Sequence, residues 1–259
     1  MIVEDKVIAI SGVGAGLGRT LAGLALRDGA RVFLGARTRS TLERVALETD
    51  PSGERVGFCR VDINDRERCR SFAAAALERF GRIDALVNLA ALDTAFGSIE
   101  DSEPEDWRPS LETNVIGTLQ LTKEVVPRLR DAGGGAIVFI GSQASYLPQT
   151  QQLAYAASKA ALATAVRYLA KELGPSGIRV NSVVPTWMWG QAVEHHLTKR
   201  AAESGESLEA LVQEITAGMA LGAIPTEADV AEAVLFMASD RARAITGQAL
   251  LVNAGEMYL

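Results

Sequence analysis

The sequence predicts a single α/β domain built on a doubly wound parallel sheet of seven strands. Three observations lead to this fold class. Seven short runs of apolar and β-branched residues alternate with longer helical patterns, a glycine-rich segment joins the first run to the first helical pattern, and no composition break or linker divides the 259 residues. The whole chain, residues 1–259, is therefore expected to form one domain.

The strands are predicted from runs that are apolar along most of their length rather than at alternate positions. Such runs are typical of strands that helices cover on both faces. Because right-handed crossovers join parallel strands, the favoured strand order is 3-2-1-4-5-6-7. The predicted strands span residues 6–11, 31–36, 55–62, 85–89, 136–141, 179–184 and 249–252.

The helices are predicted from the segments between these strands, where the pattern changes to that of a helix. Two of them begin with the spacing of a capping box, Ser40 with Glu43 and Asn64 with Glu67, which predicts where their first turns start. The predicted helices span residues 17–28, 40–49, 65–80, 107–132, 153–174 and 228–239.

One long interruption separates the last two strands. It spans residues 185–225 and contains a further helical pattern around residues 208–219. An insertion at the carboxyl edge of a parallel sheet is where a lid over a ligand would lie. We therefore expect a lid insertion at about residues 186–225.

Composition restricts the classes of partner. With 48% hydrophobic and 22% charged residues the chain has an ordinary globular profile, and its net charge of −6 argues against a nucleic-acid surface. No apolar run approaches the roughly 20 residues of a membrane span.

The cysteines and histidines do not predict a metal site. Cys59 and Cys69 lack metal-ligand spacing and suit a reducing compartment, so a cytoplasmic location is expected. The adjacent His195 and His196 would point to different helix faces, so no metal site is expected.

The glycine-rich segment predicts a phosphate-binding loop. Glycines let the backbone approach a pyrophosphate, and the N-terminus of the following helix favours its negative charge. Because the segment joins the first strand to the first helix, its context is that of a Rossmann-type dinucleotide site. The residues expected to contact the dinucleotide in this loop are Gly12, Gly14, Gly16, Leu17 and Gly18.

A second pattern points to proton transfer. Tyr155 and Lys159 stand four residues apart in a helical segment and therefore share one face of the helix. A nearby ammonium favours the phenolate, and lowering a tyrosine pKa from about 10 by roughly 3 units would let it exchange a proton near neutral pH. The alternative is an ordinary surface pair worth a few tenths of a kcal/mol.

The order of these motifs resembles that of the short-chain dehydrogenase/reductase superfamily, and the resemblance covers essentially the whole chain. The matching motifs are the Gly12-x-x-x-Gly16-x-Gly18 loop, Asn88, Asn114, Ser142, the Tyr155-x-x-x-Lys159 pair and Asn181. The chain departs from the family pattern in two loops. Leu89-Ala90-Ala91 replaces Asn-Ala-Gly, and Gly190 stands where the family often has a cofactor-contacting threonine.

The resemblance implies a role for each catalytic residue. Tyr155 would be the general acid/base, and Lys159 would lower its pKa and hold the ribose hydroxyls of the nicotinamide half. Ser142 would bind the substrate oxygen, and Asn114 would anchor a water that links Lys159 to solvent. The resemblance also implies further cofactor contacts from Asp62, Ile63, Asn88, Ala90, Pro185 and Met188.

The end of the second strand predicts the choice of cofactor. An acidic residue there would bind the ribose 2′-hydroxyl of NAD, but this chain has Ala36-Arg37-Thr38. The planar guanidinium of Arg37 suits a 2′-phosphate, which favours NADP. The alternative is that Arg37 stacks on the adenine of NAD.

The substrate side is predicted to be apolar. Gln143, Leu147, Pro148 and Gln149 follow Ser142, and the lid opens with Trp187-Met188-Trp189. With Ser142 and Tyr155, the residues expected to contact substrate are Gln143, Leu147, Trp187 and Trp189. This wall suits a hydrophobic alcohol or ketone, for example a cyclic, terpenoid or steroid-like one. The alternative is that the tryptophans only pack the lid against the domain.

Together these observations predict an NAD(P)-dependent oxidoreductase that interconverts a secondary alcohol and a ketone. Two alternatives stay open: a reductase of 3-oxoacyl groups on a carrier protein or coenzyme A, and a nucleotide-sensing protein without turnover. The predicted partners are a small hydrophobic alcohol or ketone and further copies of the chain in a homotetramer or homodimer. The resemblance and the alanine-rich helices suggest that the chain forms such a homo-oligomer.

Overall fold

The computed structural model describes residues 1–148 and 151–258. These residues form one seven-stranded parallel sheet in the order 3-2-1-4-5-6-7, which confirms the predicted topology. The strands are β1 (Val7–Ser11), β2 (Arg31–Ala36), β3 (Val56–Arg60), β4 (Ala85–Asn88), β5 (Gly135–Ile140), β6 (Ile178–Pro185) and β7 (Ala249–Val252).

Helices follow the strands as predicted, with one important difference. The segment predicted as a single helix over residues 107–132 is interrupted by a π-helical turn, Glu112–Gly117, that contains Asn114. Such turns are rare and frequently occur at functional sites. The helices are α1 (Leu17–Arg27), α2 (Arg39–Thr49), α3 (Arg66–Phe80), α4 (Pro104–Leu111), α5 (Thr118–Asp131), α6 (Leu153–Leu173), α7 (Gln191–Ser204), α8 (Leu208–Thr216) and α9 (Glu227–Ala238).

Both capping-box predictions are wrong. The residue that precedes α2 is Thr38, and α3 is capped by Asp65, whose side chain accepts a hydrogen bond of 3.1 Å from the Arg68 N–H. Asn64 instead donates a hydrogen bond of 3.0 Å to the hydroxyl of Thr113, which belongs to the π-helical turn. The side chain that the sequence assigns to local capping thus makes a tertiary contact.

The strands bury both of their faces, as their continuous apolar pattern predicts. In β1, Ile8 and Ile10 pack with α1 and α9 on one side of the sheet, whereas Val7 and Ala9 pack with α3, α5 and α6 on the other. Successive side chains of a strand point to opposite faces, so one apolar run supplies both layers of core.

Strand register brings the ends of four strands together at one edge of the sheet. Ser11 pairs with Asn88, Asn88 pairs with Phe139, and Ile140 pairs with Val183. The loops that follow β1, β4, β5 and β6 therefore lie side by side. In an open parallel sheet this edge is where ligands bind.

The region between β6 and α9, where the sequence predicts a lid, holds α7 and α8. Among residues 1–148 and 151–258, no helix combines the length and the apolar character that crossing a membrane requires.

Candidate active site

Helix α6 places Tyr155 and Lys159 one turn apart at the carboxyl edge of the sheet. The Lys159 Nζ lies 5.6 Å from the centroid of the Tyr155 ring and donates a hydrogen bond of 2.8 Å to the Ile140 carbonyl oxygen. Lys159 is only 2% exposed. The end of β5 thus holds the ammonium beneath the tyrosine ring, where the sequence predicts the pair to lie.

Ser142 faces the same cleft from the loop after β5. It precedes a short 3-10 turn, Gln143–Ser145, and its Oγ accepts a hydrogen bond of 3.2 Å from the Ala144 N–H. Ser142, Tyr155 and Lys159 all line one cleft of about 570 Å³, which we call the catalytic lobe after these candidate catalytic residues. The structure therefore brings a hydroxyl, a phenol and an ammonium together.

Burial controls the electrostatics of this group. Burial raises the pKa of Tyr155, and a hydrogen bond with the Ser142 side chain opposes that effect. Burial lowers the pKa of Lys159 from 10.5 to about 8. The pKa of Tyr155 is thus shifted in the direction opposite to the one that the sequence predicts, because desolvation of the phenolate outweighs the hydrogen bond with Ser142 and the negative charge of Asp93 raises the pKa further.

Asn114 joins the site from the π-helical turn. Its Oδ1 accepts a hydrogen bond of 2.6 Å from the Leu92 N–H, and its Nδ2 donates bonds of 2.9 Å to the Leu92 carbonyl and to the Ser158 hydroxyl. The fully buried amide therefore connects the loop after β4 to helix α6. Its anchoring of a water near Lys159 stays a prediction.

A second lobe of about 400 Å³ extends the cleft toward the ends of β2 and β3. Both lobes are lined by Gly12, Gly14, Leu89 and Ala91. Gly12 has a φ of +81°, and a Cβ there would collide with the Ala90 backbone, so only glycine suits this position. The two lobes form one continuous cleft across the sheet edge.

This cleft fits a dinucleotide. Helix α1 begins after Gly16 with no side-chain cap among the described residues and no acidic residue in its first turn, so its first N–H groups can receive a pyrophosphate. At Gly14 a Cβ would meet only open space beside the cleft. A cofactor would thus have the catalytic lobe at one end and Arg37 at the other.

Most predicted cofactor residues line the cleft, and Asn88 does not. The lining residues among them are Gly12, Gly14, Gly16, Leu17, Gly18, Arg37, Asp62, Ile63, Ala90, Tyr155, Lys159, Pro185 and Met188. The buried Asn88 accepts a hydrogen bond of 3.3 Å from Ser11 and donates one of 3.2 Å to Thr122. Its side chain therefore ties β1, β4 and α5 together.

The predicted substrate residues divide into two groups. Gln143 and Trp187 line the catalytic lobe with Ser142 and Tyr155, whereas Leu147 and Trp189 do not. Leu147 is 39% exposed, and the Trp189 N–H donates a hydrogen bond of 2.7 Å to the Pro225 carbonyl just before α9. Gln149 lies outside the described residues.

The two histidines lie on the exposed surface of α7, where the His196 ring lies 6.1 Å from that of Trp187. Within residues 1–148 and 151–258, no cluster of three potential metal ligands occurs.

Several lining residues are not predicted by the sequence analysis. Thr38, Thr41 and Arg44 line the second lobe, while Asp93 and Gln152 line the catalytic lobe. Only Arg44 carries a signal that could have been used, since it lies on the same helical segment as Ser40 and follows the Arg37 loop.

Glu227 is a further unpredicted residue of the cleft. Its carboxylate fills the space that a side chain at Gly190 would need, and it accepts a hydrogen bond of 3.1 Å from the Thr20 hydroxyl. The departure at Gly190 from the family pattern thus has a structural counterpart in an acidic side chain at the N-terminus of α9.

Known proteins share this fold and sequence pattern along the whole chain. The family model described as Enoyl-(Acyl carrier protein) reductase matches residues 12–256. The D-threitol dehydrogenase of Mycolicibacterium smegmatis is 33% identical over 256 residues, which cover 98% of this chain and 93% of the relative.

Two solved structures are similar as well. Carveol dehydrogenase of Mycobacterium avium, in complex with NAD, is 28% identical with a TM-score of 0.91, and 98% of each chain is covered. An actinorhodin polyketide ketoreductase with NADPH is 29% identical with a TM-score of 0.88, and 97% of each chain is covered.

The buried lysine predicts a pH dependence of stability. The pKa of Lys159 is about 8 in the folded chain and 10.5 ordinarily, so between these values the unfolded chain binds more protons and stability rises with pH. Relative to the Lys159→Met variant, the free energy of unfolding should increase by about 2 kcal/mol from pH 8 to pH 10. Denaturant titrations of both proteins at these pH values measure the difference, and a difference that does not change with pH would contradict the assignment.

Proposed function

This chain belongs to the short-chain dehydrogenase/reductase superfamily and is an oxidoreductase acting on CH–OH groups, and we propose that it interconverts a secondary alcohol and a ketone with NADP(H). The observation that carries this proposal is the meeting of Ser142, Tyr155 and Lys159 at one end of the cleft. An uncharged proton donor beside a buried cation suits the transfer of one proton to or from a substrate oxygen.

The chain's residues handle the oxygen and its proton, whereas the bound nicotinamide supplies or accepts the hydride. In the reductive direction the Tyr155 hydroxyl donates its proton to the carbonyl oxygen, and the Ser142 Oγ–H holds that oxygen by a hydrogen bond. The Lys159 ammonium then stabilises the phenolate. In the oxidative direction the phenolate receives the proton of the alcohol.

The pKa of about 8 fits this role of Lys159, because the side chain is largely charged at neutral pH yet costly to keep charged. A side chain that becomes negative beside the buried Lys159 ammonium is therefore stabilised. This supports a Tyr155 phenolate that exists only during turnover, since burial keeps the resting Tyr155 protonated.

The second lobe supports NADP as the preferred cofactor. Arg37 and Arg44 are both exposed and both line this lobe, and guanidinium groups bind phosphate oxygens in a bidentate manner. Arg39, by contrast, lies outside the lining and forms an ion pair of 2.7 Å with Glu43. The similar structures include one with NAD and one with NADPH, so the support for NADP comes from the two arginines.

The lid supports a substrate with a hydrophobic part. Trp187, Met188, Ala192 and Val193 supply an apolar wall to the catalytic lobe. Burying apolar surface against such a wall favours binding by roughly 25 cal/mol per Å². We assign the cyclic or otherwise hydrophobic part of the substrate to this wall, and the similarity to carveol dehydrogenase supports the assignment.

Exposed apolar side chains support the predicted homo-oligomer. Leu111, Ile116, Leu153 and Tyr168 are all more than one third exposed, and they lie on α4, the π-helical turn and α6. Large apolar groups on neighbouring helices favour contact with a second copy of the chain.

The Tyr155→Phe variant tests the proposed chemistry. It retains the ring above Lys159 but removes the proton donor, so kcat should fall by roughly 100-fold to 10,000-fold for ketone reduction with NADPH. Fluorescence titration with NADPH should give an unchanged dissociation constant, which controls for folding of the cleft. Turnover at the wild-type rate would overturn the mechanism.

Paired arginine variants test the choice of cofactor. Arg37→Ala should raise the dissociation constant for NADPH by roughly 10-fold to 100-fold and leave that for NADH nearly unchanged, because it removes a charged hydrogen-bond donor to the 2′-phosphate. Arg39→Ala removes the same charge outside the lobe and serves as the matched control. Equal losses of NADH and NADPH affinity in Arg37→Ala would count against an NADP enzyme.

A further inference from the structure

The catalytic lobe contains two buried polar atoms that the proposed chemistry does not use. Asp93 Oδ1 and Gln143 Nε2 are both buried and have no hydrogen-bond partner among the described residues. Both residues line the lobe that holds Ser142 and Tyr155. A buried acceptor or donor without a partner costs roughly 1 to 3 kcal/mol, so each atom points to a ligand that completes it.

The hydrogen-bond network determines which atom Gln143 presents. The Asn253 Oδ1 accepts a hydrogen bond of 3.1 Å from the Gly255 N–H, so its Nδ2 must be the donor. That Nδ2 donates to the Met257 carbonyl and, at 2.9 Å, to the Gln143 Oε1. The remaining Gln143 group is therefore the N–H donor Nε2, held by a side chain that is only 3% exposed.

Asp93 is held both by a hydrogen bond to its own side chain and by the hydrogen bonds of the preceding residue. Its Oδ2 accepts a hydrogen bond of 3.0 Å from the Gln152 Nε2, on the loop that leads to Tyr155. The preceding residue, Leu92, is bonded through its N–H and its carbonyl to Asn114. The carboxylate is thus anchored through one oxygen, while its other oxygen, Oδ1, is a buried acceptor without a partner on a residue that lines the lobe.

We propose that Asp93, assisted by Gln143, is a subsite for a second hydroxyl of the substrate. This inference rests on the proposed function and deepens it. The second hydroxyl donates a hydrogen bond to Asp93 Oδ1, and Gln143 Nε2 donates to an oxygen of the same substrate. The preferred substrate is therefore a hydroxylated alcohol or hydroxyketone whose hydrocarbon part lies against the Trp187 wall.

This subsite would discriminate strongly, since an apolar analogue would leave a carboxylate oxygen buried without a partner. Sites built to bond a substrate hydroxyl reject analogues that lack it far more effectively than apolar walls reject a missing methylene. Asp93 would thus be the specificity-determining residue of the lobe, while Tyr155 and Ser142 act on the reacting oxygen.

Kinetics with matched substrate pairs test the subsite. Oxidation by NADP of cyclohexanol is compared with that of the 1,2-, 1,3- and 1,4-cyclohexanediols, and 2-butanol with 2,3-butanediol. For the wild type, kcat/KM for at least one diol should exceed that of its mono-alcohol by about 10-fold or more. In Asp93→Asn the carbonyl oxygen takes the Gln152 bond, and a neutral amide replaces the charged acceptor for the second hydroxyl, so the ratio of the diol kcat/KM to the mono-alcohol kcat/KM should fall to near 1. This ratio is the readout, because a change in the chemistry that both substrates share cancels in it.

Two controls separate the possible outcomes. Glu100→Gln removes the same charge at an exposed position outside the lobe and should retain the diol preference. An unchanged melting temperature and NADPH affinity would show that Asp93→Asn folds normally. If mono-alcohols are oxidised but no diol is preferred, or if Asp93→Asn retains the preference, the subsite is refuted and the proposed function stands. If no alcohol or ketone is turned over, the proposed function fails, and the inference fails with it.

Discussion

The buried amide of Asn114 is the interaction on which the arrangement of the site depends. It satisfies both backbone groups of Leu92 and the Ser158 hydroxyl with three hydrogen bonds, so the loop after β4 and the catalytic helix are joined through one side chain. A buried amide must be paired, because each unsatisfied group costs roughly 1 to 3 kcal/mol. The rare π-helical turn that carries Asn114 is therefore stabilised by the contacts that it makes possible. Asp93 follows directly after Leu92, so the same clamp also places the carboxylate in the lobe.

Burial has opposite consequences for the two titrating groups of α6. It keeps the tyrosine protonated by raising its pKa, and it makes the lysine easier to deprotonate by lowering its pKa to about 8. Each group is thus held closer to its neutral form than it would be in water. At neutral pH the resting site therefore holds one buried charge, the Lys159 ammonium, and it gains an ion pair when a substrate oxygen takes the phenol proton. In the proposed function the second lobe, which contains Arg37 and Arg44, binds the cofactor, and the apolar wall at Trp187 binds the substrate.

Much of this could be predicted from the sequence, and the exceptions have physical reasons. Continuous apolar strands predict the sheet order, and the Tyr155–Lys159 spacing predicts that both side chains reach one cleft, because these features depend on local pattern. The predicted caps at Ser40 and Asn64 and the predicted unbroken helix over 107–132 are wrong, because tertiary partners determine these features. Leu147 and Trp189 do not line the lobe, and their contact with substrate stays a prediction. Asn64 bonds Thr113, and Trp189 is held beside α9. Asp93 and Gln152 are far apart in sequence and carry no motif, so only the folded chain shows that they meet.

Hydrogen–deuterium exchange of the segment from Leu89 to Asp93, compared between the wild type and Asn114→Ala, tests most directly whether the amide holds the site together. The variant loses both bonds to Leu92, so peptides covering this segment and the first turns of α6 should exchange markedly faster, while the strands of the sheet exchange at wild-type rates. Unchanged protection of the Leu92 N–H in the variant would contradict the account, since it would show that the loop keeps its position without the clamp.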